Sequence, residues 1–416
     1  MNNLSTINKS YLGNNLVAYY SLIPLIISSF SYGDNDIYQY IFRVGGIFTF
    51  LAMLSTARVV LNRQYIFRIY ISPIALAIFL YTIVSAYGSS LSLNPLLGYW
   101  KSLEVFCVVL YLLFIANTRQ ANEDNNILYI DIFKKVVATM LLISIVLKFI
   151  ITGGIVGKIS GYFPMINSNS IGSLSLILTL IFLYNKNTLL GVLFFLIMVF
   201  SGSKTTLGAF LLLFIASIFP YKKQGYSKGV TGLLGLVAFS SIIIFFYPVY
   251  EGVYLSGVDL TRLSGRAHLW ESVDALDGGD YFFSKIFHGN GISVSSRYLY
   301  LISDEINHSI SMHNSLLEMV LASGFIISLY IFGIILYSGK ILFFYAKNRL
   351  NIVLFFIFIV VLIRSFTSSN ISSIQPEMIL FYIISQYAFI LSRRSKEHQK
   401  GKEWKNYQNP LKNRNG

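Results

Sequence analysis

Runs of apolar residues separated by short polar stretches recur along almost the whole chain. A helix needs roughly 17–25 apolar residues to cross a hydrocarbon core of ~30 Å, and somewhat fewer when its ends snorkel. About twelve runs meet that criterion, near Leu16–Phe30, Tyr38–Ala57, Ile69–Tyr87, Leu96–Ala116, Lys135–Thr152, Ser170–Tyr184, Leu189–Phe200, Thr205–Phe219, Val230–Tyr247, Asn314–Tyr337, Ile352–Ser365 and Glu377–Leu391. The pattern predicts an all-α polytopic membrane protein with four sections. Residues 1–248 hold the first nine spans, 249–312 form one long loop, 313–392 hold three more spans, and 393–416 are a basic tail. The polar start around Lys9 lacks a small-residue cleavage site, so the first span is expected to be retained.

Composition agrees with the pattern. Of 416 residues, 55% are apolar and only 12% charged, against roughly a quarter charged in soluble globular chains. So little charge cannot coat a water-soluble body of this size. Soluble, disordered and nucleic-acid-binding classes are thereby set aside, despite the net charge of +14. The single cysteine, Cys107, lies in an apolar run and allows no intramolecular disulfide.

The positive charge reports orientation. With the N-terminus inside and the spans alternating, inner segments carry 22 of the 32 lysines and arginines, and outer segments carry seven. That asymmetry fits the excess of basic residues in cytoplasmic loops and places both termini inside. The basic tail is expected to set topology and to attract lipid headgroups.

The segment Pro248–Met312, on the outer side, breaks the rhythm of short connections. It is net −4 and aromatic-rich, and it holds Arg262, Arg266 and Trp270. Ser264 is placed to cap a helix running to Leu276, and His288-Gly289-Asn290-Gly291 reads as a tight turn. The loop ends at His313-Asn314, the mouth of the next span.

Other polar groups are expected at the same depth and face. They are Lys204 in Ser201-Gly202-Ser203-Lys204, Arg364 near the end of its span, and Asn167-Ser168-Asn169, with Gly161 and Pro164 just before. Cations at helix mouths with few neutralising acids suit a phosphate or diphosphate. Blander roles fit the same residues: Lys204 as a snorkelling anchor, His313-Asn314 as a helix cap, and Trp270 as a packing anchor. Arg43, Lys101, Glu104 and Lys148 read as structural, with Lys101 and Glu104 paired at i, i+3. The histidines show no ligand spacing, and no metal is expected.

The ordered set of Gly161, Asn167-Ser168-Asn169, Ser201-Gly202-Ser203-Lys204, Gly265-Arg266…Trp270, Gly289-Asn290-Gly291 and His313-Asn314…Glu318…Gly324 resembles the O-antigen polymerase and O-antigen ligase superfamily. The resemblance covers roughly Gly161–Phe325, and the family more commonly has arginine at the position of Lys204. It implies a GT-C-like fold with one large, partly helical periplasmic loop, in the bacterial inner membrane. The implied activity is a metal-independent glycosyltransferase without cofactor, which polymerises undecaprenyl-diphosphate-linked oligosaccharide repeat units into O-antigen or a related polysaccharide. Donor and acceptor are both lipid-linked, and the implied partners are membrane lipids and a chain-length regulator.

Carried over residue by residue, the resemblance gives His313 and Arg266 catalytic roles and Lys204 a diphosphate contact. Position and charge add Arg262 and Arg364 to the diphosphate contacts, and Asn167, Asn169, Trp270 and Asn314 as support. The chemistry fits these residue types, because the leaving diphosphate needs cations and the attacking hydroxyl needs a base. In-line displacement predicts inversion at the anomeric carbon. Two alternatives stay open at this point, a ligase passing the finished glycan to lipid A–core and a transporter without chemistry. The polar groups fall at one face rather than at a midplane site, which weighs against transport.

Overall fold

A computed structural model describes residues 19–32, 36–56, 70–90, 95–117, 123–153, 158–218, 286–292, 314–345, 349–366, 372 and 374–412. Among them every regular element is helical. The helices are α1 (Leu22–Ser28), α2 (Asp36–Gln39), a π-helical turn (Tyr40–Val44) and α3 (Gly45–Thr56). Then come α4 (Pro73–Ser90), α5 (Pro95–Asn117), α6 (Glu123–Thr152), α7 (Ser168–Tyr184), α8 (Thr188–Phe200) and α9 (Lys204–Ile218). After the long loop follow α10 (Ser315–Ser323), α11 (Phe325–Tyr345), α12 (Arg349–Ser365) and α13 (Pro376–Lys412).

Among the described residues, four helical stretches are long and apolar enough to cross a membrane: Pro73–Ser90, Pro95–Asn117, Leu128–Thr152 and Phe325–Tyr345. Shorter apolar helices accompany them, at Ile41–Ser55, Ser168–Tyr184, Thr188–Phe200, Lys204–Leu213 and Leu350–Ser365. Where they are described, the expected apolar runs coincide with helices to within a few residues, with three departures. α6 begins at Glu123, ahead of Lys135, because its first turns carry charged residues that the hydropathy pattern excludes. α13 continues past Leu391 to Lys412, and 37 residues make a helix of about 55 Å, far longer than the hydrocarbon core. The span near Val230–Tyr247 lies outside the described residues, as does most of the 249–312 loop.

The third departure corrects the expected span Asn314–Tyr337, which is two helices. α10 stops after nine residues at Gly324, whose φ of +86° an L side chain rarely adopts. The carbonyls left open at its end accept hydrogen bonds from the loop, Asn290 N–H to Leu321 O at 2.7 Å and Gly291 N–H to Ala322 O at 3.1 Å. Ile326 N–H in turn donates to Ile286 O at 3.1 Å. The expected tight turn at His288–Gly291 is therefore a wedge between the ends of α4 and α10. A Cβ on Gly289 would collide with the Leu321 carbonyl, and one on Gly291 (φ +91°) with Ser89 Oγ.

α13 is the axis of the bundle. It packs on α4, α5, α6, α11 and α12, and its residues Met378 to Ile390 are buried on every face. A helix apolar all round belongs inside a bundle or in lipid; packing puts this one inside. α7 packs on α8, α9, α12 and α6. The outward surface of the bundle is apolar as well, with Ile143, Val146, Phe149 and Ile150 of α6 exposed.

Candidate functional site

Asparagine caps set where several helices begin. Asn167 Oδ1 accepts from Ser170 N–H at 2.7 Å at the head of α7, and Asn314 Oδ1 accepts from Leu316 and Leu317 N–H at 3.0 and 3.3 Å at the head of α10. The connection ahead of Asn167 is closed by one internal hydrogen bond and pinned by two to its neighbours. Gly161 N–H donates to Ile166 O (2.7 Å), Tyr162 N–H to Ser144 O (3.1 Å), and Met165 N–H to Ser31 O (2.7 Å). The peptide Phe163-Pro164 is cis.

A cavity of about 320 Å³ opens beside this connection. Its walls include Ser29 and Ser31 after α1, Arg43 of the π turn, Lys101 of α5, Asn167 and Ser170 of α7, and Gln375 and Glu377 at the head of α13. Tyr32, stacked on Phe42 with ring centroids 4.5 Å apart, stands next to this wall and donates to Ile27 O at 2.7 Å. Burial pushes its phenol above the usual range, so the donor stays protonated.

Two cations of the wall share one carboxylate. Arg43 Nη2 and Lys101 Nζ both reach Glu104 Oε2, at 3.3 and 2.9 Å, while Trp100 Nε1 donates to Oε1 at 2.8 Å. Glu104 is fully enclosed, and Arg43 Nε has no partner among the described residues. The i, i+3 pairing expected for Lys101 and Glu104 is present. Sequence reasoning assigned Arg43 and Lys101 to structure alone and left them out of the site, yet both face the cavity. The available signal was their depth. Each lies a few residues inside the same end of its span, and together they outnumber their one acid.

Arg364 lies behind the cavity wall and is 3% exposed. Its guanidinium donates to Asn169 O and Ser173 Oγ and stands 3.7 Å from Glu377 Oε1, which also accepts from Ser173 Oγ at 2.7 Å. Arg364 and Asn169 thus meet, as expected for one site, but Asn169 contributes its backbone carbonyl and Arg364 is engaged by Glu377. Three cations and two carboxylates gather here, leaving a net charge of +1.

Lys204 is elsewhere. It begins α9 and is exposed, next to Ser201, Ser203 and Thr206, which close on Gly172 of α7. Ser170 and Leu174, which line the cavity, stand at i, i+4 on one face of α7, and Gly172 is on the opposite face. The body of α7 therefore separates Lys204 from the cavity. Asn314 is buried, and its Nδ2 lacks a partner among the described residues. One turn on in α10, Glu318 Oε2 accepts from Ser372 Oγ at 2.6 Å, and Ser372 O accepts from Tyr81 Oη at 2.8 Å. These bonds tie α10 to the segment leading into the cavity wall. Arg262, Arg266, Trp270 and His313 lie outside the described residues. Among those described, no group of three His, Cys, Asp or Glu side chains could hold a metal.

No family model matches this sequence, and no curated protein matches it.

Proposed function

We propose that this protein is a membrane-embedded glycosyltransferase that polymerises undecaprenyl-diphosphate-linked oligosaccharide repeats at the outer face of the bacterial inner membrane. The observation that carries the reading is the polar cavity with a cationic excess at one end of an apolar helix bundle. That end is the one the distribution of lysine and arginine assigns to the outside. A lipid-linked diphosphate needs both features, an apolar flank for the prenyl chain and cations for the headgroup.

In the proposed step the acceptor hydroxyl oxygen attacks the anomeric carbon of the donor glycan. The new C–O bond forms as the bond from carbon to the diphosphate oxygen breaks, and the diphosphate leaves with the bonding electrons. His313 takes the hydroxyl proton; Arg266, Lys204 and Arg262 offset charge on the leaving group. Arg364, already ion-paired with Glu377 and bonded to the head of α7, serves better as a positioning residue for α7 and α13 than as a direct ligand.

Purified protein in lipid, given the lipid-linked repeats alone, should yield a ladder at repeat-unit spacing on a gel. His313→Ala should abolish the ladder while the protein still accumulates in the membrane. Product formed only after adding lipid A–core would instead establish a ligase, and normal glycan output from the His313 variant would remove the histidine from the chemistry.

A further inference from the structure

We infer that Arg43 and Lys101 form a second anion site, for a phosphate or diphosphate headgroup, on the face of α7 opposite Lys204. The cavity they line is a built site. Arg43 is carried on a π-helical turn, a local distortion found mostly as single turns and frequently at functional sites. Its Nε is unpartnered among the described residues, and one Glu104 oxygen is shared between it and Lys101. Glu104 alone holds the pair without neutralising it, and the wall's other carboxylate, Glu377, is paired with Arg364. An entering diphosphate can draw donors from both cations, with the amide of Asn167 and the hydroxyl of Ser170 nearby on the wall. Glu104 acts here as an internal competitor, keeping the cations aimed while the cavity is empty of anion.

Polymerisation joins two lipid-linked glycans, so two diphosphates must be held at once. Assigning this cavity to one of them rests on the glycosyl-transfer reading; anion binding by Arg43 and Lys101 does not. The separation by α7 gives each headgroup its own cations, where a single shared cluster would force two diphosphates into mutual repulsion.

The test is binding of inorganic diphosphate, and separately of farnesyl diphosphate, to the full-length protein in phosphatidylcholine nanodiscs by calorimetry. Arg43→Gln and Lys101→Gln should each weaken binding about tenfold or more. Glu104→Gln should tighten it, because the competing charge is gone while an acceptor remains for Trp100 and Lys101. Tighter binding of farnesyl diphosphate than of inorganic diphosphate marks a lipid headgroup as the ligand; equal binding marks a free anion. Wild-type affinity in Arg43→Gln, or weaker binding in Glu104→Gln, overturns the site. A protein that binds diphosphate through Arg43 and makes no ladder would sink the transfer reading and leave the site standing. A full ladder from Arg43→Gln protein with undiminished affinity would do the reverse.

Discussion

At the scale of residues, the buried ion pair of Arg364 and Glu377 is the most exposed to single substitutions. Each partner is almost fully enclosed, at 3% and 1% exposure, so removing one leaves the other as an uncompensated charge. Arg364→Gln should lower stability by about 3–5 kcal/mol, and Glu377→Gln by a similar amount. The double substitution should recover much of that loss, as a double-mutant cycle of melting temperatures in detergent would show; additive losses would mean the two do not interact. Arg266 tests a different role. If it faces diphosphate, Arg266→Lys should keep more activity than Arg266→Ala and less than the unaltered protein, since a point charge replaces a planar fork. Equal rates in all three would leave Arg266 only packing the loop.

Elements respond to shape more than to charge. The Gly289–Gly291 wedge fits between α4 and α10 because neither glycine has a Cβ, and its N–H groups close the open carbonyls of α10. Gly291→Ala adds a strained φ to a steric clash and should cost about 1–3 kcal/mol of stability, read as a lowered melting temperature. An unchanged melting temperature would show that the wedge does not hold α10 in place. Of the caps, the one at Asn314 was legible from the sequence and is present at the head of α10; Asn167 and Asn187 also stand directly before the helices they cap, and the sequence reading assigned neither of them that role. The break within Asn314–Tyr337 was not legible. Nothing in that hydropathy pattern shows that a segment distant in the chain supplies the missing donors.

Over the whole molecule, orientation is the property most open to direct test. Cys107 is buried, so an added cysteine can be read against a silent background. Lys158→Cys, at the cavity end, should react with an impermeant maleimide added outside the cell, and Thr188→Cys, at the head of α8, should not. Reversed labelling would invert the topology and remove the cavity from the outer face.

The sequence by itself determined that the chain is helical and apolar enough to cross a membrane, and where most of the described helices start and stop. Those properties follow from local length, capping and charge, which a chain carries wherever it packs. Only the tertiary structure decided that α13 is the axis, that Arg43 and Lys101 share Glu104 beside a cavity, and that α7 stands between them and Lys204. The physical reason is that lipid tails and a bundle interior are equally apolar. Leu128–Thr152, the most hydrophobic of the long spans, is also the least buried, so hydropathy does not mark the face that turns inward. Which cations converge is settled only when the helices pack.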